Sequence, residues 1–177
     1  MNSPSNLGPV PRLVPDEPFP PYAFIPGRSP HPTSDPAGHS FGIAPVVPPR
    51  IEPERWYESR PYLYGIDLFN ARYYWESHVA WESPWLACGR TGTVADFLKG
   101  LIKLAAAGVK ALEGRPKGVT SHSGRAAEHW RGVILALGTP VDLFMGFRIG
   151  ELIGVAEAIH DKGWPAQPPV LIPTFPK

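Results

Sequence analysis

Cysteine is almost absent from the chain of 177 residues: one thiol, Cys88. This excludes an intramolecular disulfide and any multi-cysteine metal site, and fits a reducing, cytoplasmic setting. Charge of either sign is scarce in excess. Seventeen basic residues against 16 acidic ones leave a formal charge of +1, too weak a field to bind a phosphate backbone, so nucleic acid is not an expected partner. Long hydrophobic runs are lacking too. The most apolar stretch, 97–109, is interrupted by Lys103 and shorter than the roughly 20 residues of a membrane span, so no membrane partner is expected. The first residues have neither a basic start followed by an apolar run nor a cleavage-like site, and no secretion signal is read there. Absent as well are a phosphate-cradling glycine loop, a GxSxG elbow, an HExxH pair and paired CxxC motifs. No run of alternating β-branched residues argues for a sheet.

Proline and tryptophan are plentiful, in different places. Fifteen of the 24 prolines lie in the first 53 residues, and all six tryptophans come after them. Proline removes backbone donors and biases each preceding residue towards extended conformations, so residues 1–53 form no helix. They still carry Phe19, Tyr22, Phe24 and Ile25, apolar groups that suit an arm lying across a body better than a free tail. The middle of the arm, from Pro30 to Gly42, is dense in turn formers and holds His31, Asp35 and His39.

From Glu54 the spacing becomes helical. A first helix is expected to about Asn70, with Pro61 as a possible kink, and a second from about Ala71 to Leu86. Thr93-Val94-Ala95-Asp96 resembles a capping box opening a third helix, whose Phe97, Leu101, Leu104, Ala105, Val109 and Leu112 make an apolar stripe ending near Gly114. A fourth covers roughly Lys117 to Leu137. A fifth is expected from Thr139-Pro140-Val141-Asp142 to about Asp161. The predicted fold is an all-α, single-domain helical bundle of about five helices: an extended proline-rich arm over 1–53, the bundle over 54–163 and a proline-rich tail over 164–177.

Within that bundle Trp75, His78, Glu82 and Trp85 follow i, i+3, i+7, i+10 and so share one helix face. His78 and Glu82, one turn apart, offer either two metal ligands or a hydrogen-bonded His–carboxylate pair in the core. Lys103, amid Leu101, Ile102 and Leu104, either snorkels to water or faces that pair as a charge partner or anion anchor. Chemically, His31, His39, His78 and Glu82 would suit a divalent metal such as Zn or Mn if the arm brought them together. Gly100, Ala107 and Gly108 read as small for helix packing. His122, His129 and His160 read as surface groups, and Cys88 as a spectator thiol.

The run Leu68-Phe69-Asn70, then Tyr73-Tyr74-Trp75-Glu76-Ser77-His78, Trp81-Glu82 and Trp85, followed by Gly100-Leu101-Ile102-Lys103-Leu104-Ala105-Ala106, resembles an uncharacterised helical family, domain of unknown function three hundred and nine. The family pattern is an LFN turn, an aromatic pair with Glu-x-His, a Glu one turn later, a Trp, a GLI-x-LAA helix and a small turn, here Glu113 to Gly118. It covers about residues 60 to 125. The family commonly has Glu directly after the His and Gln before the LAA, where this chain has Val79 and Lys103. The arm with its 30–39 loop is similar to a leader that some members carry. The resemblance implies an all-α fold and no established activity.

The pocket candidates are therefore His78, Glu82, Trp75, Trp85, Asp67 and Lys103. They leave two functions open. One is a binding or interaction module whose Trp-lined His78/Glu82 pocket holds a small molecule, a metal or a protein partner. The other is a metal-dependent hydrolase-like enzyme with His31, His39, His78 and Glu82 as ligands and a bound water as nucleophile. In either, the histidine loop of the arm is expected to close over His78.

Overall fold

The computed structural model describes residues 10–44, 46–138 and 143–177. Among them a 3-10 helix over Pro53–Glu58 leads into five α-helices: α1 (Arg60–Asn70), α2 (Tyr74–Ala87), α3 (Thr93–Leu112), α4 (Pro116–Leu137) and α5 (Ile149–Lys162). No strand occurs among the described residues, and an isolated bridge joins Phe144 to Phe147. The protein is an all-α bundle in which each helix packs on the next in chain order.

Boundaries differ from the sequence pattern where one local interaction beats periodicity. The expected first helix is two segments, and Pro61 lies in the first turn of α1, where its missing N–H has no intrahelical partner to lose. The link to α2 turns through Arg72 at φ 67°, with the Tyr73 amide bonded to the Leu68 carbonyl at 2.8 Å, so α2 begins at Tyr74 rather than Ala71. The capping box is not formed. Gly92, at φ 89°, is the residue before α3, Thr93 is already helical, and no side chain caps that end. Asp96 still sits in the first turn, where the helix dipole favours an acid. The expected cap at 139–142 lies outside the described residues. Residues 143–148 are not helical: Phe144 and Phe147 exchange backbone bonds around Met145 and Gly146, both at positive φ, and α5 starts only at Ile149.

The core is built on α3. From Val94 to Lys110 every residue is buried except Asp96, Lys99, Lys103, Ala106 and Lys110. Those intervals of 3, 4, 3 and 4 residues trace a single stripe along one side of the helix. Successive helices meet through a device that the bundle uses twice, once between α1 and α2 and once between α3 and α4. A Cβ on Gly65 would lie 2.3 Å from Nε1 of Trp81, and one on Gly100 would lie 2.2 Å from Nε1 of Trp130. Each indole instead lies on the bare backbone and donates to the carbonyl three residues before the glycine: Trp81 to Tyr62 and Trp130 to Phe97, both at 3.1 Å. Two fully buried indole N–H groups are satisfied in this way, as burial of Trp demands.

The C-terminal tail is fastened without secondary structure. Asn70, at the end of α1, donates to the Leu171 carbonyl and accepts its amide, each at 2.8 Å. Phe175 packs on Trp56 with ring centroids 4.9 Å apart.

Candidate functional site

The buried face of α2 is Tyr74, Ser77, Trp81 and Pro84, which has the spacing of Trp75, His78, Glu82 and Trp85 and lies beside it. The expected His78/Glu82 pair is therefore not the polar centre of the bundle. It lies at the rim, with His78 Nε2 3.3 Å from Glu82 Oε1 and side chains 25% and 41% exposed. His78 also directs Nδ1 to the Trp75 carbonyl at 3.0 Å. Its hydrogen bond lowers the Glu82 carboxyl below the ordinary value, with Lys99 and Lys103 adding to the effect and partial burial opposing it. Trp75 and Trp85 reach the rim because large amphipathic rings can be covered from outside the core. Phe24 and His31 pack on Trp75, each with ring centroids 5.3 Å away, and Nζ of Lys99 lies 3.8 Å from the Trp85 ring centroid.

The carboxylates that are truly buried are Asp67 and Glu76, and both hold the arm. Asp67, on α1, accepts the amides of Leu13 and Val14, each at 2.8 Å, with Nε of Arg12 3.6 Å from Oδ2. On α2, Glu76 Oε1 accepts the Phe24 amide at 2.8 Å and faces His39 Nε2 at 3.1 Å. Glu76 Oε2 is buried without a partner. Proline-rich sequence supplies few backbone donors, and those near the body must find acceptors when desolvated. The two carboxylates are those acceptors. The sequence pattern did not single out Glu76. Its signal was its position two residues before His78, beneath the arm aromatics.

The histidine loop does reach α2, at Glu76 rather than His78. His31 packs on Phe24 and Trp75 and its Nδ1 faces the amides of Thr33 and Ser34. His78 touches the same Trp75 ring, with centroids 6.1 Å apart. No group of three or more His, Cys, Asp or Glu among the described residues is placed to hold a metal ion, so His31, His39, His78 and Glu82 do not form a ligand set.

A different cluster forms along the α3 stripe. Lys99, Lys103 and Lys110 point out between α2 and α4, which both pack on α3. His78 and Glu82 stand on the α2 side, and His122, Arg125 and His129 on the α4 side at intervals of 3 and 4 residues. Most of the charges are matched: Lys110 with Glu113 at 2.8 Å, His129 with Asp96 at 3.8 Å, His78 with Glu82. Lys103 and Arg125 have no ion pair or hydrogen bond among the described residues. Burial lowers the Lys103 amine below its ordinary value, and Lys99 and Arg125 lower it further while Glu82 raises it. His122 is half-buried rather than a plain surface group, and its buried Nδ1 has no partner. Burial holds its imidazole below the ordinary value, with Lys103, Lys110, Arg125 and His78 acting in the same direction.

Elsewhere, an apolar cleft of about 300 Å³ separates Val10 and Leu13 from the tail at Leu171 and Phe175, with Asn70 as its one polar side chain. Among the described residues no helix is long and apolar enough to cross a membrane. Cys88 is buried and unpaired.

No curated protein matches the chain. Residues 62–122, from the first turn of α1 into α4 and including every residue named around the stripe except Arg125 and His129, match the family model DUF309, a domain of unknown function.

Proposed function

We propose that the protein is a non-covalent binding module that takes a small anionic ligand on the α3 stripe. One observation carries this reading: a helix buried on every other side exposes a line of lysines in which Lys103 is partly buried and has no ion pair or hydrogen bond among the described residues. An ammonium is seldom held in that state without a partner, and an anionic ligand supplies one. The cationic part of the stripe is short. Asp96 bounds it at one end and Glu113 at the other, and Lys99 to Lys110 spans about 16 Å at 1.5 Å per residue. That length suits a small ligand and is short for a polyanion. The His78–Glu82 pair forms one bank. The latched arm keeps α2, and so that bank, in position.

A thermal-shift screen of small anionic, neutral and cationic compounds tests the reading. Ligands that bind only the folded state raise the melting temperature in proportion to their affinity. Anionic compounds are expected to raise it in the wild type and to lose the effect in Lys103→Met. Equal shifts in the variant, or shifts from neutral compounds alone, would overturn it.

A further inference from the structure

The geometry points to a tetrahedral oxyanion group, phosphate or sulfate, as the part of the ligand held on this stripe, clamped between Lys103 of α3 and Arg125 of α4 while His122 takes up a proton. This rests on the anion-binding reading of the same surface and adds the class of anion and the proton.

Three donors stand on two packed helices there, with Lys103 of α3 within electrostatic range of His122 and Arg125 of α4. Lys103 offers a point charge, Arg125 a planar fork and His122 a ring nitrogen. A carboxylate presents two oxygens in one plane and is used up by the fork alone, whereas a tetrahedral group keeps further oxygens for the other two donors. The charged groups facing His122 are Lys103 and Lys110 from α3, Arg125 from its own helix and His78 from α2. None is an acid; Glu113 is engaged by Lys110 and Arg115, and Glu82 by His78. With its buried Nδ1 unpartnered, the ring protonates less readily than an ordinary imidazole until a negative charge arrives beside it. A bound dianion reverses the sign of that local field and favours the imidazolium. Anion and proton then bind together, each strengthening the other by the same factor.

Sulfate is the probe, because it keeps its charge from about pH 5 to 8, where histidine titrates. Side-chain nitrogen NMR reads each histidine separately, with chloride at matched ionic strength and acetate as controls. Saturating sulfate is expected to raise the pKa of His122 by about one unit, so that sulfate binds about tenfold tighter at the acid end. His78 and His129, which already face Glu82 and Asp96, are expected to move less. His122→Asn should bind sulfate with the weaker, high-pH affinity at every pH, and Lys103→Met should lose most binding. At about pH 8 inorganic phosphate and sulfate are both dianions; the tighter binder identifies the group, and both must exceed acetate. Sulfate binding that leaves His122 unmoved, or a pH dependence that survives in His122→Asn, overturns the clamp and leaves the anion-binding reading standing. Acetate binding as tightly as sulfate overturns the tetrahedral assignment. No response to any anion overturns the reading beneath it as well.

Discussion

Nε2 of His39 in the arm lies 3.1 Å from Oε1 of Glu76 on α2, and the same oxygen accepts the Phe24 amide at 2.8 Å. A single buried carboxylate thus anchors two points of a proline-rich segment that has no secondary structure of its own. Removing such an acceptor leaves buried donors unpaired, at about 1–3 kcal/mol. Glu76→Ala is therefore expected to destabilise the protein by that order and to open residues 20–40 to protease under native conditions. Chemical denaturation and limited proteolysis measure the two effects. An arm that stays resistant in the variant would show that ring packing on Trp75 suffices.

The helices were legible because proline, glycine and 3.6-residue spacing agreed; the site was less so. On α2 two faces carry the same spacing one residue apart, and the four larger polar and indole side chains drew attention to the outer one. What decides between them is Gly65: only a residue without a Cβ lets Trp81 lie flat on α1, and no pattern on α2 alone contains that fact. For α3 the opposite held. Its lysines stood out against an apolar background, but which of them lacks a partner depends on where the Trp85 ring of α2 and the Glu113 carboxylate beyond α3 come to lie. His31, His39, His78 and Glu82 are not gathered for a related reason: the arm's turns direct His31 and His39 to different partners.

Glu82→Ala is expected to cost little, since exposed ion pairs one helical turn apart contribute roughly 0.3–0.5 kcal/mol. Asp67→Ala removes the acceptor of two amides and is expected to cost several times more. Melting curves of both variants in one buffer make the comparison. Equal losses would restore Glu82 to the centre of the fold.

Gly100→Ala places a methyl where the Trp130 indole lies. Overfilling a packed interior typically costs about 1–3 kcal/mol, and the indole N–H must leave the Phe97 carbonyl. The expected signature is a lowered melting temperature together with altered tryptophan near-ultraviolet dichroism. A variant as stable as the wild type would mean that α3 and α4 can separate freely.

Without ligand, the imidazole of His122 protonates less readily in the folded chain than in the unfolded one. Below the ordinary pKa of 6.5 the unfolded state binds more protons, so this group subtracts stability as pH falls from there towards the folded-state value. Partial exposure keeps the effect small. His122→Asn removes it, and the variant is expected to gain stability relative to wild type at about pH 5.5 but not at about pH 8, across the range where histidine titrates. A difference independent of pH would contradict the depressed protonation.

The most direct test of the binding surface is a residue-by-residue NMR map of the protein titrated with sulfate at about pH 6, near the titration of histidine. Shifts confined to Lys99, Lys103, Ala106, His122 and Arg125 are the expected result. Shifts centred on the cleft between Leu13 and Leu171, or spread evenly over surface lysines such as Lys117 and Lys162, would contradict it.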